Sequence, residues 1–334
     1  MASRESLPGR RSVRIERGAA TAGFIGRRLV RTAATLLISS FAIFAALYLA
    51  PGSPIAFLTH GHSLAPEAIH SIEAEYHLNH PFLERYWLWL TGLLHGDLGR
   101  SAITREPVST LLAPRIGVTL TLIAMGAILI VLGGIVLGVL AGVRGRRTDA
   151  TITTATAVGM AMPSFVTATL LINYFALKLG WFPVFGAGSG FADRLWHLTL
   201  PAISLALGLV AYVTLITRAA VRAEMGSEHS ETARGRGLRE RLVIRRHVVR
   251  NALIPVTTVA GITVASLVAG VAVVEKAYEL PGIGAYLVDS VTNNDFAVVQ
   301  AICLILVVVY VLVNAIVDIG YLFLDPRLRG RASR

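Results

Sequence analysis

The stretch ETARGRGLRERLVIRRHVVRNALIP, residues 231–255, carries seven arginines between two long apolar runs. Arginine is too costly to place against lipid, so this segment must lie in water or against another protein. The flanking runs, 198–217 and 253–274, are each about 20 residues long, the length of helix that crosses about 30 Å of hydrocarbon. The sequence therefore predicts an exposed loop between two membrane-spanning helices.

Four further runs have the same character. The six predicted spans are 29–50, 118–143, 151–177, 198–217, 253–274 and 299–323. Because the runs are long and do not alternate, they favour helices over barrel strands. A chain of 334 residues that is 54% hydrophobic and 15% charged is neither an ordinary soluble domain nor a disordered one. We expect an all-α integral membrane protein with six transmembrane helices.

Arginine sets the expected orientation. The net charge is +11, only Lys178 and Lys276 are lysines, and the arginines cluster in both tails and after the second and fourth spans. The positive-inside rule then places both termini in the cytosol, as expected of a multi-pass protein of the cytoplasmic (inner) membrane. Since these arginines flank apolar spans, they indicate the anionic inner leaflet of the bilayer and no nucleic-acid partner. The first run ends in Pro51-Gly52-Ser53-Pro54, not in an Ala-x-Ala cleavage site, so we expect it to remain as an anchor.

The runs divide the chain into four parts. Residues 1–28 form a basic cytosolic tail, expected to be disordered, and 325–334 form a second cytosolic tail. Residues 29–115 hold the first transmembrane helix and an extracytoplasmic segment, with a predicted helix at 66–76 and an aromatic stretch at 86–90 that suits the membrane interface. Residues 116–324 form a five-helix core with the polar loop at about 226–251.

Prolines interrupt two of the predicted spans. Pro163 and Pro201 should kink the third and fourth spans, and kinked helices often line pathways because their freed carbonyls need polar surroundings. A kink used only for packing is the alternative. On this basis Pro163, Ser164 and Asn173 are the candidate pathway residues.

Two glycines divide the polar loop. Gly235 and Gly237 should separate a short helix from a second piece, 238–251. That piece should present one apolar face, and Pro255 should occupy the first turn of the fifth span. The predicted apolar face consists of Leu238, Leu242, Val249 and Leu253. Glu231 could pair with arginines or accept donors from a partner protein, and Gly237 would let that partner approach closely. From these residues alone, a loop bound to phospholipid headgroups is an equal alternative.

An ordered series of motifs resembles the permease subunits of ABC importers, in the dipeptide, oligopeptide and nickel branch. In the loop the matching residues are Thr232-Ala233-Arg234, Gly237-Leu238, His247 and Arg250-Asn251-Ala252-Leu253-x-Pro255. Elsewhere they include Pro51-Gly52-x-Pro54, Gly96-Asp97-Leu98-Gly99-x-Ser101, Trp181-Phe182-Pro183 and Glu275 followed by Pro281-Gly282-Ile283-Gly284 with Asp289 and Asp295. The resemblance covers about residues 29–328. Two pairs depart from it: Glu228-His229 stands where the family usually has Asp-Tyr, and Gly235-Arg236 where it has Ala-Lys.

The resemblance implies a type I permease fold and a role in the uptake of peptides or similar small solutes. It also implies four partners: a second homologous permease subunit, two cytosolic ATP-binding subunits and an extracytoplasmic solute-binding protein. The residues that it assigns to contact with the ATPase are Glu231, Thr232, Ala233, Gly237, Leu238, His247, Asn251 and Pro255. Neither lysine stands in a Gly-x-x-x-x-Gly-Lys phosphate loop, so we expect ATP hydrolysis on separate subunits, and no cofactor.

Three other functions compete. Six of nine histidines lie in the outer segment, so a nickel or metal-complex permease is an alternative; they are His60, His62, His70, His77, His80 and His95. Ser189 in a glycine-rich run could suggest an intramembrane hydrolase, although a flexible turn fits better. A non-transporting membrane receptor or scaffold is the third. Cys303 stands alone in an apolar run and is expected to pack as a small apolar residue, without a metal site.

Overall fold

A computed structural model describes residues 10–49 and 79–324, which form eleven helices. In chain order they are α1 (Arg10–Tyr48), α2 (Phe82–Leu94), α3 (Val108–Val143), α4 (Arg146–Ala161), α5 (Ser164–Lys178), α6 (Phe191–His197), α7 (Thr199–Met225), α8 (Glu228–Gly235), α9 (Glu240–Ala277), α10 (Ile283–Thr292) and α11 (Phe296–Leu324). Helices α3, α5 and α9 each contain one π-helical turn, at Leu129–Gly133, Ile172–Lys178 and Ile244–Val249. No strand occurs within those two ranges.

Five helices are long and apolar enough to cross a membrane, namely α1, α3, α7, α9 and α11. A sixth span is formed when α4 and α5 are counted together, because they are bent by 106° at a short break. Met162 has extended backbone angles there (φ −88°, ψ 119°), as a residue before proline prefers, and Pro163 caps α5. The predicted all-α fold and the break at Pro163 are confirmed.

Pro201 and Pro255 do not behave as the sequence suggests. Pro201 is the third residue of α7, in the first turn, where no helical hydrogen bond is lost, so the predicted kink in the fourth span is wrong. Pro255 lies inside the continuous α9 and not in its first turn, because that helix already begins at Glu240. Residues 240–251, the second half of the polar loop, are therefore helical and continuous with the helix of the fifth span.

Helix α1 begins well before the first apolar run. It starts at Arg10, so residues 10–28 are helical and the expected disorder is wrong for them. Alanine and arginine are good helix formers, and the apolar half of the helix provides the nucleus on which this stretch extends. The predicted helix 66–76 lies outside the described residues.

Helix α2 contains the aromatic stretch that the sequence placed at the membrane interface. Its Phe82 and Tyr86 pack edge-on against Phe41 of α1, at centroid distances of 5.8 and 5.3 Å. Ser40 and Tyr86 also share a hydrogen bond of 2.9 Å. Trp87 stays largely exposed. The helix thus has one side against α1 and another that is free to meet the interface.

Helix α7 lies at the centre of the bundle and packs along α3, α4 and α9. Gly134, Gly138 and Gly142 repeat every four residues on α3 and face α7. A Cβ added at any of them would lie within 2.6 Å of a side-chain atom of Val213, Thr217 or Val221. These glycines therefore set the close approach of the two helices, as small residues do in membrane bundles.

Helix direction sorts the connections onto two ends of the bundle. The arginine-rich end consists of residues 144–149, the end of α7, all of α8 and the start of α9. The opposite end consists of the starts of α3, α7 and α11, the end of α9, and the short helices α6 and α10. Ion pairs between Asp149 and both Arg218 and Arg222 tie α4 to α7 at the arginine-rich end.

Candidate functional site

The candidate site is the segment 226–251 at the arginine-rich end. Helix α8 runs to Gly235, and a turn then leads into α9. Gly237 has φ +75°, a left-handed angle that only glycine adopts without strain, and its N–H donates to the carbonyl of Arg234 at 2.8 Å. The glycine turn between two helical pieces, predicted from the sequence, is present.

Helix α8 is fastened to α7 and α9 through side chains. The buried Ser230 hydroxyl donates to the Glu224 carbonyl at 2.8 Å. Arg234 donates to the Met225 carbonyl at 2.9 Å and to both carboxylate oxygens of Glu240, at 3.1 and 3.2 Å. The hydrogen-bonded carboxylate of Glu240 raises the pKa of Arg234 above its usual value. A two-point guanidinium–carboxylate pair fixes orientation as well as distance, so α8 has a defined position.

His229 makes a second connection between the same helices. Its Nε2 atom lies 3.0 Å from Glu224 Oε2 at the end of α7 and 3.0 Å from Asn251 Nδ2 of α9. It also lies 3.1 Å from the Ser227 hydroxyl. Sequence reasoning noted His229 only as a departure from the family pattern, and did not anticipate this bridge.

The residues predicted to contact a partner fall into three groups. Glu231, Thr232, Gly237, Leu238 and Pro255 are exposed. His247 and Asn251 are half-buried, and Ala233 of α8 is buried.

Within residues 10–49 and 79–324, Glu231 forms no ion pair. The interpretation that Glu231 holds the loop through an arginine is therefore not supported by a close contact; its charge acts on Arg234, and the ion pair at this point joins Arg234 to Glu240.

The predicted apolar face of the second piece is wrong in its first half. Leu238 and Leu242 are exposed, while Val249 and Leu253 are half-buried and Leu253 packs on the main core. The fully buried positions are Val243, Val248 and Ala252, which lie against Val221 and Ala233. The π turn at Ile244–Val249 changes the spacing of the buried positions from three or four residues to five. Two exposed leucines thus remain on the surface of the loop beside the arginines.

The three candidate pathway residues lie at and beyond the bend between α4 and α5. Pro163 and Asn173 are exposed and Ser164 is half-buried. Asn173 has no hydrogen-bond partner for its side chain in the part of the chain that the structure describes. An unpaired amide is costly against lipid, so the exposed Asn173 suits a polar or protein-covered surface.

Two buried acids, Glu275 and Asp295, lie at the end of the bundle opposite the arginine-rich end. The sequence had shown them only as members of the family motif. Glu275 is fully buried; it accepts hydrogen bonds from the Thr119 hydroxyl of α3 at 2.5 Å and from the Ala285 N–H of α10 at 2.9 Å. Asp295 accepts from the Ser101 hydroxyl at 2.5 Å and the Ala102 N–H at 3.2 Å. Both carboxylates therefore have donors from distant parts of the same chain.

The competing sites gain no support from their surroundings. His80 pairs with Glu84 at 3.0 Å, and His95 Nδ1 lies 2.7 Å from the Thr91 carbonyl, while the four other outer histidines lie outside the described residues. No group of three metal-ligating side chains occurs in the described ranges. Ser189 lies in a turn between two glycines with positive φ, and its N–H donates to Asp193 at 2.7 Å.

Comparison with protein families decides the class. The family described as "Binding-protein-dependent transport system inner membrane component" matches residues 134–330, more than half of the chain. The chain belongs to this family. The N-terminal component model of the same permeases matches residues 22–123. The resemblance found in the sequence is thereby confirmed, and this permease is a multi-pass inner-membrane component of a transport system and not an enzyme.

Curated relatives agree along nearly their whole length. This permease is 34% identical over 310 residues to the "Probable peptide ABC transporter permease protein y4tP" of Sinorhizobium fredii, covering 92% of this chain and 99% of the relative. It is 33% identical over 307 residues to the glutathione transport system permease protein GsiC of Escherichia coli K12, covering 92% of this chain and 98% of the relative.

A solved structure supports the fold. The "Crystal structure of an amino acid ABC transporter with histidines" matches this permease with a TM-score of 0.50 and 19% sequence identity. The match covers 64% of this chain and 94% of the other. At this identity the likeness concerns the fold alone, and it agrees with the type I permease fold expected from the sequence.

Proposed function

We propose that this permease forms, with a second homologous permease subunit, the pathway of an ABC importer for peptides or similar small solutes. An extracytoplasmic binding protein delivers the solute, and two cytosolic ATP-binding subunits provide the energy. The observation that carries the proposal is the segment 226–251: side-chain hydrogen bonds fasten it to two spanning helices, while the exposed Glu231 and Thr232 form no side-chain hydrogen bond or ion pair within the described chain.

The fastening supports a role in coupling. Ser230, Arg234 and His229 hold α8 to the end of α7 and the start of α9. A protein that displaces α8 therefore displaces both spans, which could tilt the bundle between outward-open and inward-open states. Glu231, Thr232 and Leu238 offer that protein an acid, a hydroxyl and an apolar contact on one exposed surface.

Charge supports the orientation. The exposed arginines at 144–147 and 236–250 lie at one end of the bundle, and this end faces the cytosol by the positive-inside rule. Both termini then lie in the cytosol as well. Since neither lysine stands in a phosphate-binding loop, ATP hydrolysis is assigned to the separate subunits that contact this end.

The names of the relatives support the class of solute. One is named as a peptide permease and another as a glutathione permease, and glutathione is itself a small peptide. The bend at Pro163 and the exposed amide of Asn173 provide polar groups at membrane depth. These residues belong to the proposed pathway, where an amide can bind the backbone of a peptide by hydrogen bonds.

Gly237→Asp tests the coupling role. Gly237 is exposed with no other atom within 4 Å of an added Cβ, so a larger side chain disturbs an incoming partner more than the permease itself. The left-handed φ adds only about 1 kcal/mol of strain. In vesicles that hold the whole transporter, we expect ATP-driven uptake to fall at least about ten-fold at normal membrane abundance.

Gly145→Asp is the matched control. Gly145 lies at the same end, also with no atom within 4 Å, but outside segment 226–251. It should leave uptake near the wild-type rate. Normal uptake by Gly237→Asp at normal abundance would count against the assignment.

A further inference from the structure

The Nε2 atom of His229 has more polar neighbours than one ring nitrogen can hydrogen-bond at the same time. Its Nε2 lies within hydrogen-bond distance of Asn251 Nδ2, the Ser227 hydroxyl and Glu224 Oε2. The amide nitrogen of Asn251 can only donate, and the carboxylate of Glu224 can only accept. A single nitrogen carries either a lone pair or a proton, so it can satisfy only one of these two partners at a time.

Glu224 provides independent evidence for the competition. Its Oε2 atom is buried and receives no hydrogen bond, although it lies 3.0 Å from His229 Nε2. When the neutral ring carries its proton on Nδ1, Nε2 accepts from Asn251 and leaves the carboxylate oxygen without a donor. A buried carboxylate oxygen without a donor strongly favours any neighbour that can supply a proton.

We propose that His229 is a proton-responsive positioning residue for segment 226–251. In the neutral ring with its proton on Nδ1, Nε2 accepts from Asn251 and joins α8 to α9. With the ring protonated, Nε2 donates to Glu224 and the contact with Asn251 is lost, so α8 is held by α7 and by Arg234. The inference rests on the proposed coupling function, because it predicts how tightly that segment follows α9.

The charged groups around the ring are of both signs. Arg218 and Arg222 are paired with Asp149, and Arg234 is paired with Glu240. The other ionisable side chains on α8, on the glycine turn and on this end of α7 and α9 are Glu224, Glu228, Glu231, Arg236, Arg239, Arg241, Arg245, Arg246, His247 and Arg250. Among them, Glu224 is the one for which the described residues show a contact with His229.

The residue type carries the pH response. Histidine changes its charge between about pH 5 and 8, a range in which tyrosine stays neutral, so tyrosine is a suitable comparison side chain. Protonation on going from about pH 8 to about pH 6 removes one bond between α8 and α9, so we expect uptake per ATP hydrolysed to fall about three-fold.

Transport in vesicles with the complete transporter tests this. Wild type should show the three-fold fall in coupling between the two pH values, and His229→Tyr should be nearly independent of pH over the same range. His197→Gln is the matched control: His197 also lies beside a carboxylate, Asp193 at 3.3 Å, but at the opposite end, and this variant should respond as wild type does. A fall of equal size in His229→Tyr, or none in wild type, overturns the inference.

A distance measurement separates this inference from the proposed function. Spin labels at Thr232 of α8 and Arg246 of α9, in a Cys303→Ser background of the full chain, report the α8–α9 distance without any transport. The distance distribution should broaden at the lower pH in wild type and stay constant in His229→Tyr. Distributions identical at both pH values overturn the inference, even if uptake is coupled to ATP. Broadening in the absence of any ATP-driven uptake would contradict only the proposed function.

Discussion

The two ends of the bundle treat their polar groups in opposite ways. At the opposite end, Glu275 and Asp295 are buried and receive donors from within the chain, across 156 and 194 positions of sequence. At the arginine-rich end, the side chains of Glu231 and Thr232 are exposed and form no hydrogen bond or ion pair with the described chain, although the charge of Glu231 acts on Arg234. The two buried acids thus have their donors within this subunit, whereas the exposed pair is available to a second protein.

This difference separates stability from function. A buried acid with its donors contributes to the folded state, because removing a donor leaves a buried group without a partner. An exposed residue without a partner contributes little until another protein binds it. Substitutions at the opposite end should therefore lower thermal stability, and substitutions in segment 226–251 should lower coupling in a stable protein.

Gly282→Ala should have the largest effect on stability. A Cβ at this position would lie 2.1 Å from Glu275 Cδ, so the buried carboxylate must leave its donors on Thr119 and α10. We expect a loss of about 3 kcal/mol or more, as for other disrupted buried charges. The fraction of permease that stays monodisperse in detergent after heating measures this loss.

Gly145→Ala is the control for that substitution, since no atom lies within 4 Å of its added Cβ. It should unfold at the wild-type temperature. Equal stability of the two variants would show that the Glu275 carboxylate is not confined as described, and the contrast between the ends would fail.

Ser101→Ala should have an intermediate effect. It removes the hydroxyl that donates to the nearly inaccessible Asp295 and accepts from the backbone N–H groups of residues 103 and 104, while the Ala102 N–H still donates to the other Asp295 oxygen. A loss of about 1–2 kcal/mol is expected, because the buried acid loses one of its two donors and two loop N–H groups lose their acceptor. Ser266→Ala, which removes only an exposed hydroxyl bonded to its own helix, should change the melting temperature much less. The same heating series measures both variants.

Arg234→Gln should have the smallest effect on stability and a clear local one. It breaks the pair with Glu240 and the bond to Met225, so α8 and the glycine turn should open more often. In permease purified without ATPase, chymotrypsin cleavage at Leu238 and Leu242 should rise about three-fold. Arg236→Gln, which loses no partner within the described residues, should be cleaved at the wild-type rate. A loss of thermal stability as large as that of Gly282→Ala would remove the distinction between the two ends.

The sequence predicted the membrane architecture because hydropathy and proline act locally. Each span needs about 20 apolar residues in a row, and the break at Pro163 follows from the geometry of one peptide bond. Gly237 was predicted as a turn for the same reason, and its positive φ agrees. The kink predicted at Pro201 was wrong, because the effect of a proline depends on where its helix begins. Helix α7 begins two residues before Pro201.

The register of α9 and the roles of the buried acids could not be predicted in this way. A π turn adds one residue to the repeat, so Val243 and Val248 became the buried pair, and Leu238 and Leu242 stayed exposed. No propensity indicates such a turn, because packing decides it. Likewise, the partners of Glu275 come from α3 and α10, and only the tertiary structure brings them together.

The continuity of α9 has a mechanical consequence. A helix of 38 residues from Glu240 to Ala277 is about 57 Å long at about 1.5 Å per residue. Its first turn borders segment 226–251, and its last turn holds Glu275 in the cradle of α10. Tilting such a rod by about 10° around one end would sweep the other through about 10 Å. Pivoted about its middle, the same tilt would move both ends by about 5 Å each, so in the proposed coupling role a push on segment 226–251 would also shift the far end of α9.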